Sequence, residues 1–354
     1  MFQVMAQAAL KQVENLTKAY ENLKSVTEVD VAQTPKKVVW NDGKVKLWHF
    51  TPQKKATVKT PVLVVYALVN RWYMMDIQPD RSFIGKLLAE GLDVYLLDTG
   101  YPTIAERYKT VNDYINGNIN DCVDFLCEKH HLKAINLMGI CQGGTFSAIY
   151  AALHPEKVKN LVTLVTPIDF ATNDGLLFKW SRCLDIDNMV DKYNGIIPGS
   201  FLNTGFDLLI PMNKVRKLVN LAQTTSDKDK MMNFLRMEHW INDSPDQAGE
   251  TYRQFIIDMY QHNKLVKGEF ELDGEKVNLK NINMPLLTIY ASEDHIVPPQ
   301  CTKPLNDLVS SADKELYEFP GGHIGVFVGA RSQTTLAPAI EKWFAKRDDH
   351  SNNN

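Results

Sequence analysis

Residues Gly139–Gly144 read Gly-Ile-Cys-Gln-Gly-Gly, and no other stretch constrains the fold of this chain as tightly. An apolar run through Asn136-Leu137-Met138 enters the turn, and Thr145-Phe146-Ser147-Ala148-Ile149-Tyr150 leaves it as a helix. A strand that hands over to a helix within so few residues needs a strained backbone turn, which glycines on both sides permit. The central side chain is then lifted above the sheet, where a nucleophile belongs. Serine is the usual residue there, and this chain has Cys141 instead. A free thiol has a pKa near ~8.5, which a neighbouring histidine lowers, and thioesters pass acyl groups to alcohols more readily than oxyesters. Cys141 therefore reads as a residue that holds an acyl chain and passes it on. The competing reading, a small buried cysteine in an apolar turn, leaves the flanking glycines without a purpose.

Strand and helix signals alternate around this turn. Val38-Val39-Trp40, Asn41-Asp42-Gly43 and Val45–Phe50 predict a β-hairpin. Pro61–Tyr66, Leu92–Leu97, Ala134–Met138 and Val158–Val165 are short apolar runs. Such runs are expected of strands covered on both faces in a parallel sheet. Asp80–Glu90 and Val111–Lys129, between them, read as helices. The alternation breaks after Asp169, and the stretch from Phe170 to Ile282 is longer, rich in Phe, Trp, Leu and Met, with a loop signal at Gly195–Gly199. Strand character returns at Pro285–Tyr290 and Lys314–Phe319, and a last helix is predicted near Thr335–Ala345.

The pattern predicts an α/β class protein: an α/β-hydrolase fold with a mostly parallel central sheet and a cap inserted after the sixth strand. The expected division is an N-terminal helical segment over 1–34, a core over 35–169 and 283–347, a cap over 170–282 and a disordered tail over 348–354. In the first segment Ala9, Val13, Leu16, Tyr20 and Leu23 recur at helical spacing, either to pack on their own domain or to dock another subunit.

Charge narrows the partners. The 39 basic and 42 acidic residues are mixed along the chain without a basic stripe, which argues against nucleic acid. The start lacks the pattern of a signal peptide, and apolar runs such as Pro61–Val69 are too short to span a bilayer. Cys122, Cys127, Cys141, Cys183 and Cys301 are odd in number and scattered, which fits a reduced cytosol better than a disulfide framework or zinc site. A cytoplasmic protein with no bound cofactor and no metal is expected.

In this fold the acid follows a late strand and the histidine follows the last one. Glu293 and Asp294 both stand directly after the Pro285–Tyr290 strand, and His323 stands in Pro320-Gly321-Gly322-His323-Ile324-Gly325 after the final strand. His323 would take the thiol proton as general base, and the acid would orient the imidazole and stabilise its cation. The acid's alternative role is direct activation of an attacking hydroxyl. His295 reads as a hydrogen-bonded loop residue. The oxyanion needs two donors: the backbone N–H of Gln142 is one, and the loop Ala67-Leu68-Val69-Asn70-Arg71 should give the other, at Val69 rather than Asn70.

With these residues placed, the chain resembles the catalytic subunit of class III polyhydroxyalkanoate synthases from about Pro35 to Phe344. Four stretches carry the resemblance: Tyr66–Arg71, Leu137–Gly144, Asp243–Glu250 and Phe319–Gly325. The first 34 residues carry none of it. Asp98-Thr99-Gly100 departs from the Asp-Trp-Gly expected of the family, which touches local packing and not the triad. The resemblance implies polymerisation of (R)-3-hydroxyacyl-CoA, chiefly 3-hydroxybutyryl-CoA, into a storage polyester with release of CoA. It implies Cys141 as nucleophile, His323 as general base and Asp294, rather than Glu293, as the third catalytic residue. It also implies a second synthase subunit, homo-oligomers, and residence at the granule surface, with the CoA thioester entering only as substrate.

Chain growth requires an acyl-enzyme kept from water until an alcohol attacks it. Phe178, Trp180, Phe201, Phe206, Trp240 and Phe255 would serve this in a mobile cap, or else form the cap's own core. Three rivals stand beside this reading. They are a cysteine thioesterase or hydrolase of the same fold, a non-catalytic granule protein, and a class IV synthase with a different partner.

Overall fold

In the computed structural model, residues 17–18, 21–22, 24–26, 28–209 and 227–348 are described. The helical positions Ala9, Val13, Leu16, Tyr20 and Leu23 lie outside them. Two strands, β1 (Lys36–Asp42) and β2 (Val45–Phe50), form the antiparallel hairpin. Its reversal falls at Gly43-Lys44 rather than at 41–43, because Asn41 and Asp42 still pair with Lys46 and Val45 and Gly43 supplies the left-handed φ of 54°.

Six further strands follow: β3 (Val62–Val65), β4 (Val94–Asp98), β5 (Ile135–Ile140), β6 (Val158–Leu164), then β11 (Leu286–Ala291) and β12 (Lys314–Phe319) after four two-residue strands. Those four are β7 (Ile196–Ile197), β8 (Gln247–Ala248), β9 (Glu271–Leu272) and β10 (Glu275–Lys276). The main sheet has the order β1-β2-β4-β3-β5-β6-β11-β12. β2 pairs antiparallel with β1 and β4, and every pairing from β4 to β12 is parallel. β3, β4, β5 and β11 are buried along their whole length, as strands with helices on both faces must be.

The helices that cover the sheet have identifiable ends. α1 (Phe83–Glu90) starts where the Ser82 hydroxyl accepts the N–H of Gly85, and stops at Gly91 in left-handed geometry. The segment predicted as one helix over Val111–Lys129 is instead a π-helical stretch, Asp113–Ile119, running into α2 (Asn120–His130). α3 (Gln142–Leu153) is buried at every position but its last, so it forms the centre of one face.

The chain leaves the sheet after β6 and returns at β11. Between lie α4 (Leu176–Ser181), α5 (Ile186–Lys192), α6 (Gly199–Leu209), α7 (Lys228–Asn242) and α8 (Gly249–Gln254), with β7 paired to β8. Phe170, Phe178, Phe255 and Tyr260 pack as one aromatic cluster, and Phe255 meets Phe146 of α3 edge-on with ring centroids 5.8 Å apart. Trp240 is buried against the core around Trp72 and Tyr73. Trp180 is 38% exposed, so it stands on the surface rather than in a wall around the thiol.

The last helix, α9 (Ala337–Asp348), runs past its predicted end. Asp348 is not part of a disordered tail. Its carboxylate accepts the Lys59 N–H at 2.6 Å and the Thr60 hydroxyl at 2.9 Å and pairs with Lys159 at 3.1 Å, which ties the end of α9 to the entry of β3. Residues 349–354 lie outside the described part.

Candidate active site

The turn between β5 and α3 is tighter than side chains would allow. A Cβ on Gly139 would lie 2.5 Å from the Gly144 Cα, one on Gly143 would lie 2.3 Å from the Val65 carbonyl oxygen, and one on Gly144 would lie 1.9 Å from the Thr166 hydroxyl. Cys141, at the apex, has φ 53° and ψ −125°, a left-handed backbone that costs a non-glycine residue about 1–3 kcal/mol. Its N–H donates to the Leu164 carbonyl at 2.9 Å, and its own carbonyl accepts the Gly144 N–H at 2.9 Å. Burial of α3 and these bonds hold the strained residue in place.

β11 and β12 are adjacent and parallel, so the loops at their C-terminal ends meet. Nδ1 of His323 lies 2.6 Å from Oδ2 of Asp294. The other carboxylate oxygen, Oδ1, accepts the backbone N–H groups of Ile296 and Val297 at 2.9 and 2.8 Å. Both side chains are buried, whereas Glu293 and His295 are exposed; Asp294 is the acid that faces the imidazole. Burial alone would depress the imidazole pKa. The charge of Asp294, its hydrogen bond and the hydrogen bond to the Cys141 side chain outweigh burial and push the pKa up to about 10. The imidazole is thus held by the carboxylate on one side and acts on the Cys141 sulfur electrostatically on the other.

Gln142 is the first residue of α3, so its N–H has no acceptor within the helix. Its side chain acts separately, with Oε1 accepting the Leu68 N–H at 3.0 Å. That bond occupies Leu68, while the next N–H along, Val69, donates to no group among the described residues. Asn70 adopts φ 59°, and its side chain donates to the Ser244 hydroxyl at 2.8 Å. The loop is anchored beneath by Arg71, which pairs with Asp98 at 2.9 Å and donates to the Gly100 carbonyl at 3.1 Å. Threonine at position 99 leaves this ion pair intact, since the Asp98 carboxylate also accepts the indole N–H of Trp72 at 3.0 Å.

Sequence reasoning overlooked several neighbours. Tyr66 and Tyr260 both sense the Cys141 sulfur electrostatically, and burial, reinforced by that sulfur, drives each phenol well above its ordinary pKa. Tyr66 directly precedes the loop Ala67–Arg71 and belongs to a stretch that carried the resemblance, so its position was available. Tyr260 comes from a π-helical turn, Phe255–Gln261, and gave no local signal. Gln247, whose amide donates to the Leu68 carbonyl at 2.9 Å, lies in another of the matched stretches. Among the described residues no helix is long and apolar enough to cross a membrane, and no group of three or more His, Cys, Asp or Glu is placed to hold a metal ion.

Comparison with known proteins bears on the whole chain. A family model described as alpha/beta hydrolase fold matches residues 60–330, and one described as Poly-beta-hydroxybutyrate polymerase (PhaC) N-terminus matches residues 4–87. The second match corrects the expectation that the first 34 residues resemble nothing. "Poly(3-hydroxyalkanoate) polymerase subunit PhaC" of Thiocystis violacea is 49% identical over 97% of this chain and 97% of that protein. The protein of the same name from Allochromatium vinosum is 49% identical with the same coverage, and that of Synechocystis sp. is 46% identical over 94% of this chain and 91% of that one. Among solved structures, a soluble variant of monoglyceride lipase from Saccharomyces cerevisiae superposes with a TM-score of 0.53 at 16% identity, covering 91% of this chain and 97% of that one. A metagenome-derived lipolytic enzyme gives 0.51 at 14% identity, over 82% and 96% of the two chains. At such identities the two structures speak to the fold alone, an α/β-hydrolase fold.

Proposed function

The chain belongs to the family of poly(3-hydroxyalkanoate) polymerase subunits, and from that premise we propose that it polymerises (R)-3-hydroxyacyl-CoA, chiefly 3-hydroxybutyryl-CoA, through a covalent thioester on Cys141. The observation that carries the chemistry is the strained Cys141 close enough to the buried His323 imidazole to raise its pKa, with that imidazole itself held by a buried carboxylate.

The steps follow from the groups present. The Cys141 sulfur, its proton held by His323, attacks the thioester carbonyl, and the oxyanion that forms is met by the N–H groups of Gln142 and Val69. The C–S bond to CoA breaks, CoA leaves as a thiol with the proton from His323, and the acyl group remains on Cys141. The 3-hydroxyl of the chain end or of a second acyl group then loses its proton to His323 and attacks that thioester. An ester bond forms, and the Cys141 sulfur is released. Asp294 orients the ring and stabilises its cation during each transfer. The same set of residues would serve a thioesterase if water were admitted. The aromatic cluster of the cap, seated on α3, supports exclusion of water from the acyl-enzyme.

The names of the relatives include the word subunit, which supports a requirement for a second chain, as in class III synthases. An insoluble polyester product would hold the enzyme at the granule surface. The deciding experiment is incubation with 3-hydroxybutyryl-CoA, with and without a candidate second subunit, following CoA release and product. Insoluble polymer is the expected outcome, with release accelerated by the partner. Soluble 3-hydroxybutyrate as the only product would make the protein a hydrolase.

A further inference from the structure

Leu68 is held from two sides. Its N–H donates to Oε1 of Gln142 at 3.0 Å, and its carbonyl accepts Nε2 of Gln247 at 2.9 Å. Gln142 follows the nucleophile, whereas Gln247 belongs to β8 in the cap. Both glutamines are buried, and Gln247 is steadied by a second bond to the Pro245 carbonyl at 3.1 Å. The Leu68 carbonyl and the Val69 N–H are opposite edges of one planar trans peptide. A bond that fixes the direction of the first therefore fixes the direction of the second.

The same cap segment grips the loop at two more points. The Trp240 indole donates to the Arg71 carbonyl at 2.7 Å, and Asn70 donates to Ser244 at 2.8 Å. Arg71, Asn70 and Leu68 are thus each tied to residues between 240 and 247.

We propose that Gln247 is a positioning residue for acyl transfer: by holding the Leu68 carbonyl it aims the Val69 N–H, so that the oxyanion site is complete only while the cap segment 240–247 is seated. This rests on the proposed reading of Gln142 and Val69 as oxyanion donors. Preorganised donors of this kind are worth roughly 10²–10³ in rate when one is lost. A donor left in place but misdirected costs less. A cap that swings away to admit substrate would turn off acyl transfer without touching the thiol or its imidazole.

The test separates acylation of Cys141, which needs the oxyanion site, from its alkylation by iodoacetamide, which needs only the activated thiol. The full-length chain carrying Gln247→Met, with the second subunit where turnover requires it, is compared with the unaltered protein. The burst of CoA from 3-hydroxybutyryl-CoA, and of nitrophenolate from p-nitrophenyl butyrate, is expected to slow about 10- to 100-fold while alkylation stays within about threefold. Gln142→Met, which cuts the opposite bond and leaves the cap contacts, is expected to give the same split and serves if the first variant does not fold. Gln261, whose side chain bonds the Ser181 and Leu184 carbonyls inside the cap at 3.1 and 2.9 Å, is the matched control. Acylation within about twofold of the unaltered protein, or an equal fall in acylation and alkylation, overturns the proposal, as does the same loss in Gln261→Met. The nitrophenyl ester keeps this result independent of the natural substrate. An unaltered protein that releases nitrophenolate and never CoA would count against the proposed function instead.

Discussion

Asp294 touches His323 with one carboxylate oxygen, at 2.6 Å, and uses the other to accept two backbone N–H groups of its own loop. The acid is thus locked before the histidine meets it, and the ring orientation is inherited from the loop after β11. Asp294→Asn keeps the size of the side chain and removes the charge, so the imidazole loses its main source of stabilisation as a cation. The expected result is a fall in acylation rate of about 10³- to 10⁴-fold, measured as the burst of CoA, with the fold retained. Near-normal rates in Asp294→Asn would remove Asp294 from the mechanism.

The same contact gives stability a definite pH dependence. The folded imidazole of His323 has its pKa raised from 6.5 to about 10. A raised pKa stabilises the fold in the protonated form, so the contribution is complete below about pH 6.5 and is lost as pH rises towards 10. Urea unfolding of the unaltered protein and of His323→Gln at pH 6 and at pH 9.5 should show the advantage of the unaltered protein shrinking at the higher pH. An advantage that grows with pH would contradict the sign.

Backbone strain at Cys141 can be read as stability. Cys141→Ala and Cys141→Gly should both abolish acyl transfer. Only glycine accepts φ 53° without penalty, so Cys141→Gly is expected to be more stable than Cys141→Ala by about 1 kcal/mol, despite the greater freedom of a glycine in the unfolded chain. Denaturant midpoints of the two variants decide it, and equal midpoints would mean that the turn stores no strain at this residue.

Glycines in this chain differ in what surrounds them. Gly144→Ala places a methyl carbon 1.9 Å from the Thr166 hydroxyl in a fully buried site, and should cost about 3 kcal/mol or prevent folding. Gly205, in α6, has nothing within 4 Å of a new Cβ, so Gly205→Ala should be neutral or stabilise by up to about 1 kcal/mol through helix propensity. Thermal unfolding of the pair checks both, and comparable losses would show that the close approach at the elbow is not specific.

Much of the molecule was legible in its residues alone. The elbow, the alternation of strands and helices, the positions of Cys141 and His323, and the narrowing of the acid to Glu293 or Asp294 are local patterns, set by residues within a turn or a strand of one another. Such patterns survive in a linear sequence because the backbone geometry they require is short-range. The parallel sheet followed from the same logic, since β3 to β5 are mostly apolar and buried along their whole length and β6 is buried at every position but Lys159.

Tertiary structure alone decided the rest. Glu293 and Asp294 are neighbours in sequence, and only the packing of the loop after β11 turns one to solvent and the other to His323. Tyr260 reaches the surroundings of the thiol from the cap, Asp348 ends in a buried ion pair with Lys159, and Gln247 reaches Leu68 across 179 positions. Contacts between residues so far apart depend on how finished elements dock, and side-chain type leaves no periodic trace of which partner a glutamine or an aspartate will meet. The elbow cysteine could be found in the sequence; the hold of the cap on the loop beside it required the fold.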